Sequence, residues 1–197
     1  MNKYRVLIIE DDTNLLYDWQ QLLEDEGYNV DIAENGKIAL ELWEKHIYDV
    51  ILVDLRMPEV DGMDVIKTVK EQQPNTQIII ISGQGKDNDL IEAINKHVYA
   101  YLPKSDIGID DIVNKTAEAL ENRDAVLLSL DNMAEKSSNK SIILAGKESY
   151  SAQRLYDEVR KGTEFGKQFQ KEFKNTLTDF EPSQKTASEL LDIKGVI

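Results

Sequence analysis

"VILVDLRMPEVDG", residues 50–62, runs four apolar β-formers into an acid, Asp54, and then into a loop that holds Pro58 and Gly62. A continuous apolar run suits a strand covered on both faces, and such strands belong to parallel sheets. Asp54 then lies where the strand leaves the core, and a half-buried carboxylate is costly unless a cation or hydrogen bonds answer it. Fold and chemistry therefore both turn on what the rest of the chain places beside Asp54.

Outward from this stretch, short β-rich runs alternate with helical patterns, the signature of βαβ units. "YRVLII" (4–9) and "QIIIIS" (77–82) are further buried runs, "YNVDIA" (28–33) alternates like an edge strand, and "AYLPK" (100–104) is a fifth. Leu15, Leu16, Trp19, Leu22 and Leu23 make one stripe on a helix from Thr13 to Glu26, which Gly27 stops. Asn35 opens a helix in "GKIALELWEKH", and others are expected from about Met63 to Glu71, from Asp87 to His97 and from Ile109 onward. Five strands and five helices in strict alternation predict an α/β fold with a five-stranded, doubly wound parallel sheet, whose working site lies at the carboxyl ends of the strands.

The helix from Ile109 shows no stop signal at residue 120 and is expected to run past the domain, with an interruption in its apolar pattern around Arg123 and Asp124. "EKSSNKS" (135–141) reads as a linker. Three parts follow: a domain over 1–122, a helix extension and linker over 123–141, and a small, mainly α-helical region over 142–197. In that last part Phe165, Phe169 and Phe173, spaced by four, are the core of a bundle or a docking stripe.

Composition narrows the function. Lys+Arg 23 against Asp+Glu 37 gives a net charge of -14, which argues against a general nucleic-acid or membrane-surface binder. Residues 1–120 carry 24 acids and 11 bases, whereas 121–197 carry 13 and 12, so the two parts are built for different jobs. There is no cysteine, which suits the cytoplasm, and no apolar run approaches the ~18 residues of a membrane span. The start "MNKYRVLIIEDD" lacks the apolar core and cleavage site of a signal peptide.

If the sheet is as read, one rim collects Glu10, Asp11 and Asp12 after the first strand, Asp54 after the third, Ser82 after the fourth and Lys104 after the fifth. Clustered carboxylates without His or Cys call for a hard cation, Mg²⁺ or Mn²⁺. With the cation present, Asp54 becomes a nucleophile for phosphorus, and Lys104 and Ser82 can hold phosphoryl oxygens. Asp12 is also placed to cap the following helix.

"VLIIEDD", "VDLRMPEVDG", "IIIISG" and "YLPKS", in this order across residues 1 to about 122, resemble the receiver domain of bacterial two-component response regulators. The resemblance implies a flavodoxin-like receiver fold in which a histidine kinase or phosphotransfer protein passes its phosphoryl group to Asp54. It implies a metal held by Glu10, Asp11, Asp54 and the backbone carbonyl of Arg56. Ser82 matches the switch hydroxyl, Tyr101 the aromatic that changes rotamer, and Lys104 the lysine of the pattern; by analogy the bond before Pro103 would be cis. Such a protein catalyses only its own phosphorylation and dephosphorylation.

Two rivals fit less well. A flavin carrier would need a Ser/Thr/Gly-rich phosphate loop where the chain has "EDDTN", and a hydrolase with an aspartyl-phosphate intermediate would need a second acid where it has Arg56. The output is expected to be a protein partner or a homodimer, engaged through the fifth helix and the C-terminal region. Residues 142–197 show no basic recognition face, which argues against DNA. The alternative is a transcription regulator with an atypical tail, since "KTASELLDIKGVI" is faintly similar to the start of a helix-turn-helix.

Overall fold

A computed structural model of the chain describes residues 4–73, 75–83, 98–123, 125–136, 141–143 and 149–178. The chain divides into two compact units between Asn122 and Arg123. In the first, strands β1 (Arg5–Ile9), β2 (Asn29–Ala33), β3 (Val50–Val53), β4 (Gln77–Ser82) and β5 (Ala100–Pro103) form one sheet in the order β2-β1-β3-β4-β5. Every pairing is parallel.

The period of two in a strand explains the two cores. Leu7, Ile9, Ile51, Val53, Ile78 and Ile80 point to one face, where α2 (Gly36–Trp43) and α3 (Gly62–Gln72) cover them with Ala39, Trp43, Val65, Ile66 and Val69. The alternate residues Val6, Ile8, Val50, Leu52, Ile79 and Ile81 point to the other face, under α1 (Thr13–Asp25) and α4 (Ile109–Glu121), with Leu16, Trp19, Leu23 and Ile112. The central strands are apolar on both faces because both are covered; β2, at the edge, keeps the mixed pattern read from "YNVDIA". The helix expected over 87–97 lies outside the described residues.

Local signals set the helix ends. Asp12 accepts from the amides of Asn14 and Leu15, and Asn35 accepts from that of Ile38, each satisfying an orphan donor of a first turn. Past α1, Gly27 takes φ 86°, the left-handed conformation that lets the chain turn back into β2. The bond before Pro103 is trans, and no described peptide bond is cis, contrary to the expectation by analogy. Trans is the lower-energy isomer for X–Pro, and Pro103 ends β5 in register with Ser82.

The single helix expected to run past residue 120 is two. α4 closes at Asn122, whose amide donates to the Glu118 carbonyl, and α5 (Ala125–Lys136) begins anew. The interruption in the apolar pattern has a physical cause in the second unit. There the buried Arg123 guanidinium donates to Asp131 Oδ2 at 3.3 Å and to the Tyr156 hydroxyl at 3.2 Å, a burial that an exposed helix position would not give.

The second unit also holds an antiparallel pair, β6 (Ser141–Ile143) with β7 (Ser149–Ser151), and helices α6 (Ala152–Lys161) and α7 (Glu164–Thr178). Its core is Val126, Leu127 and Leu130 of α5, Leu155, Tyr156 and Val159 of α6, and Phe169 and Phe173 of α7. The rings of Phe169 and Phe173 stack 5.7 Å apart, and Phe165 packs on Tyr150 at 5.0 Å. The phenylalanine stripe is therefore bundle core. The segment "SQKTASELLDIKGVI" lies outside the described residues.

Candidate functional site

β1 and β3 are neighbours, and each delivers its acid as it leaves the sheet. The Asp54 amide donates to the Ile9 carbonyl and the Glu10 amide to the Ala33 carbonyl, so both acids are held by ladder-like bonds one residue beyond their strands. Glu10 is fully buried and Asp54 is 5% exposed, whereas Asp11 is exposed. Oxygens of Glu10, Asp11 and Asp54 lie within 4.8 Å of one another.

The cation facing them comes from the residue after β5. Lys104 Nζ donates to Asp54 Oδ2 at 2.6 Å and to Glu10 Oε1 at 2.8 Å. Glu10 Oε2 is only 2.7 Å from the same nitrogen, yet it accepts no hydrogen bond. It remains ion-paired with the ammonium as a buried oxygen of the cluster. Three carboxylates with such an oxygen fit a hard divalent cation, which takes all-oxygen ligands and often keeps waters.

Electrostatics follow burial. Burial pushes the Glu10 carboxyl above its ordinary range, and the hydrogen bonds from Lys104 and the Asp12 amide only partly oppose it. For Lys104 burial would lower the ammonium, but the bonds to Asp54 and Glu10 outweigh it and raise the group above its ordinary value. Burial and the Asp54 charge raise the Tyr101 hydroxyl. The pair is thus charge-balanced only in part: two buried acids share one lysine.

The other residues read from the sequence lie on the same rim. Ser82 ends β4 with its side chain buried, opposite Pro103. Its carbonyl accepts from the Lys104 amide at 3.0 Å and, weakly, from the Tyr101 hydroxyl at 3.4 Å. Tyr101 is half-buried. The Arg56 amide donates to Asp54 Oδ1 at 3.2 Å, fixing the carboxylate opposite the lysine bond. Asp12 caps α1, and its amide donates to Glu10 Oε1 at 3.1 Å.

Two loop features were not legible in the sequence. Gly62 packs directly on the Asp54 backbone, where a Cβ would collide with the Asp54 carbonyl oxygen, so the close approach itself requires glycine. Glu59 takes φ 68° while the Val60 amide bonds the Pro58 carbonyl at 2.9 Å, a γ-turn in a non-glycine residue. Beside the rim, Leu15, Trp19, Leu22, Ile107 and Ile112 line a groove of about 570 Å³ between α1 and α4 that reaches Lys104.

The sequence profile of the response regulator receiver domain matches residues 6–121. The chain belongs to the response regulator receiver family. Its receiver is similar to the solved CheY-like receiver domain protein of Methanospirillum hungatei, with a TM-score of 0.57 and 28% identity over 61% of this chain and 95% of that one. It is also similar to the response regulator TrrA of Thermotoga maritima, solved in complex with Mg²⁺ and BeF, with a TM-score of 0.54 and 25% identity over 59% of this chain and 99% of that one. Among curated relatives, the probable transcriptional regulator ycf29 of Porphyra purpurea is 34% identical over 51% of this chain and 49% of its own length. The chain spans about half the length of the first curated relatives it matches. No helix among the described residues is long and apolar enough to cross a membrane.

Proposed function

We propose that Asp54 accepts a phosphoryl group from a histidine kinase or phosphotransfer protein, and that the acyl phosphate switches a protein–protein or self-association surface. The observation that carries this is the Lys104 ammonium, 2.6 Å from Asp54 Oδ2 and in contact with Glu10, at the rim where the third strand ends. An Asp54 oxygen attacks the phosphorus of a phosphohistidine; the O–P bond forms as the P–N bond breaks, and the imidazole leaves with the electron pair and takes up a proton. Glu10, Asp11, Asp54 and the Arg56 carbonyl would hold Mg²⁺ or Mn²⁺, which neutralises the crowded carboxylate and phosphoryl oxygens when bound. The groove between α1 and α4, open to Lys104, is where the donor protein would dock.

Once Asp54 carries a dianionic phosphoryl group, Lys104 follows the charge and the Ser82 hydroxyl donates to it. Movement of Ser82 disturbs the weak Tyr101–Ser82 carbonyl contact, and Tyr101 turns inward. The face made by β5 and its flanking helices then repacks, a population shift that the new charge-assisted bonds bias. The chain needs no activity beyond its own phosphorylation and dephosphorylation, and it works in the cytoplasm. A small phosphodonor with Mg²⁺, read by intact mass, tests the reading: the parent gains an alkali-labile phosphoryl group and Asp54→Asn gains none. No gain by the parent, with a cognate kinase also inactive on it, overturns it.

A second reading, a phosphorylation-controlled transcription regulator with an atypical DNA-binding tail, draws on the faint helix-turn-helix likeness of "KTASELLDIKGVI" and on relatives named as transcriptional regulators. Binding to heparin and duplex DNA with and without beryllofluoride and Mg²⁺ separates the two. Salt-sensitive, activation-dependent DNA binding favours the second.

A further inference from the structure

At the opposite end of the sheet from Asp54, Lys70 in the last turn of α3 is half-buried, and its Nζ donates to the Thr76 carbonyl at 2.8 Å. No carboxylate among the described residues pairs with it, unlike Lys104, Lys115 and Lys167. Thr76 is itself buried and pinned, its hydroxyl donating to the Tyr48 carbonyl at 2.9 Å, so the acceptor facing Lys70 is fixed. A desolvated amine with one neutral acceptor and no counter-charge is an environment that disfavours the ammonium form.

We propose that Lys70 is an acylation site, modified directly by small activated acyl donors such as acyl phosphates or acyl thioesters. The Nζ lone pair attacks the acyl carbon and a C–N bond forms. The C–O bond to phosphate, or the C–S bond to the thiol carrier, breaks with its electrons on the leaving group, and the amine proton passes to solvent. The product suits the site: an acyl-lysine keeps one N–H for the Thr76 carbonyl and carries no charge to bury. A carbamate or other anionic adduct would put an unpaired negative charge in the same place, so a neutral acyl group is the fitting one.

Burial lowers the Lys70 ammonium to about 8. Such an amine is roughly a quarter neutral slightly above neutral pH, against about one part in a thousand for an ordinary lysine. A weaker base is also a weaker nucleophile, which cuts that gain to about tenfold in rate. Lys67, exposed on the same helix three residues earlier, is the internal reference.

The full chain is treated with acetyl phosphate in one arm and acetyl-coenzyme A in the other, and acetyl-lysine is mapped by peptide mass spectrometry over time and pH. Hydroxylamine or mild alkali first strips any acyl phosphate from Asp54, leaving the amide. Lys70 is expected to acetylate about tenfold faster than Lys67 near neutral pH with at least one donor, its rate levelling off above pH 8. Acetylation no faster than at Lys67, with either donor, overturns the proposal. Lys70→Gln, which resembles the neutral product, should melt above Lys70→Arg, which keeps the charge; the reverse order would show that the site does not accommodate a neutral acyl group and also overturns it.

Discussion

Lys104 Nζ lies 2.6 Å from Asp54 Oδ2 across 50 residues of sequence and binds Glu10 as well, so one ammonium answers two buried acids. Lys104→Ala leaves both carboxylates uncompensated. Such a loss costs about 3 kcal/mol, and urea denaturation without divalent cations should read it as a lower midpoint with an unchanged slope. Mg²⁺ should recover more stability in the variant than in the parent, because the cation replaces the missing charge. A variant as stable as the parent would show that the ion pair is not what holds the rim.

Glu10 behaves in the opposite sense. Its folded value is raised, so ionising it is harder in the fold than in the unfolded chain. Its stabilising contribution is complete below the ordinary glutamate range and is lost as pH rises through the folded value. Glu10→Gln is therefore expected to melt at or above the parent near neutral pH. The advantage should vanish in acid, and Mg²⁺-dependent quenching or calorimetry should show weaker metal binding. A lower melting temperature at neutral pH would mean that the Lys104 bond outweighs burial.

In the loop after Asp54, Glu59 pays for a positive φ without being glycine. An L-residue there costs about 1–2 kcal/mol, partly offset for glycine by about 0.5–1 kcal/mol of extra unfolded-state entropy. Glu59→Gly should be neutral to slightly stabilising, whereas the β-branched Glu59→Val should lower the melting temperature. Equal melting of the two variants in differential scanning fluorimetry would discount the γ-turn.

In the second unit, Phe169 is buried and stacked on Phe173. Phe169→Ala should cost that unit about 3–5 kcal/mol, seen as early loss of hydrogen-exchange protection in α5, α6 and α7. Asp54 should still gain its phosphoryl group with a small donor, because the receiver has its own two cores. Unchanged protection would show that the phenylalanines do not form the bundle's core.

By itself the sequence determined the alternation of strands and helices, the faces each strand buries, and the acids, hydroxyl and lysine at the strand ends. These are local properties: periodicities of two and 3.6, caps such as Asp12 and Asn35, and residue types at fixed offsets from apolar runs. Tertiary structure decided the rest. Lys104 reaches Glu10 across 94 residues, and no local pattern specifies that separation or the burial that raises the Glu10 carboxyl. The end of α4 at Asn122, the passage of α5 into a separate core and the close approach of Gly62 to Asp54 were likewise set by packing between segments distant in sequence. Desolvation and steric contact depend on neighbours that only the folded chain supplies.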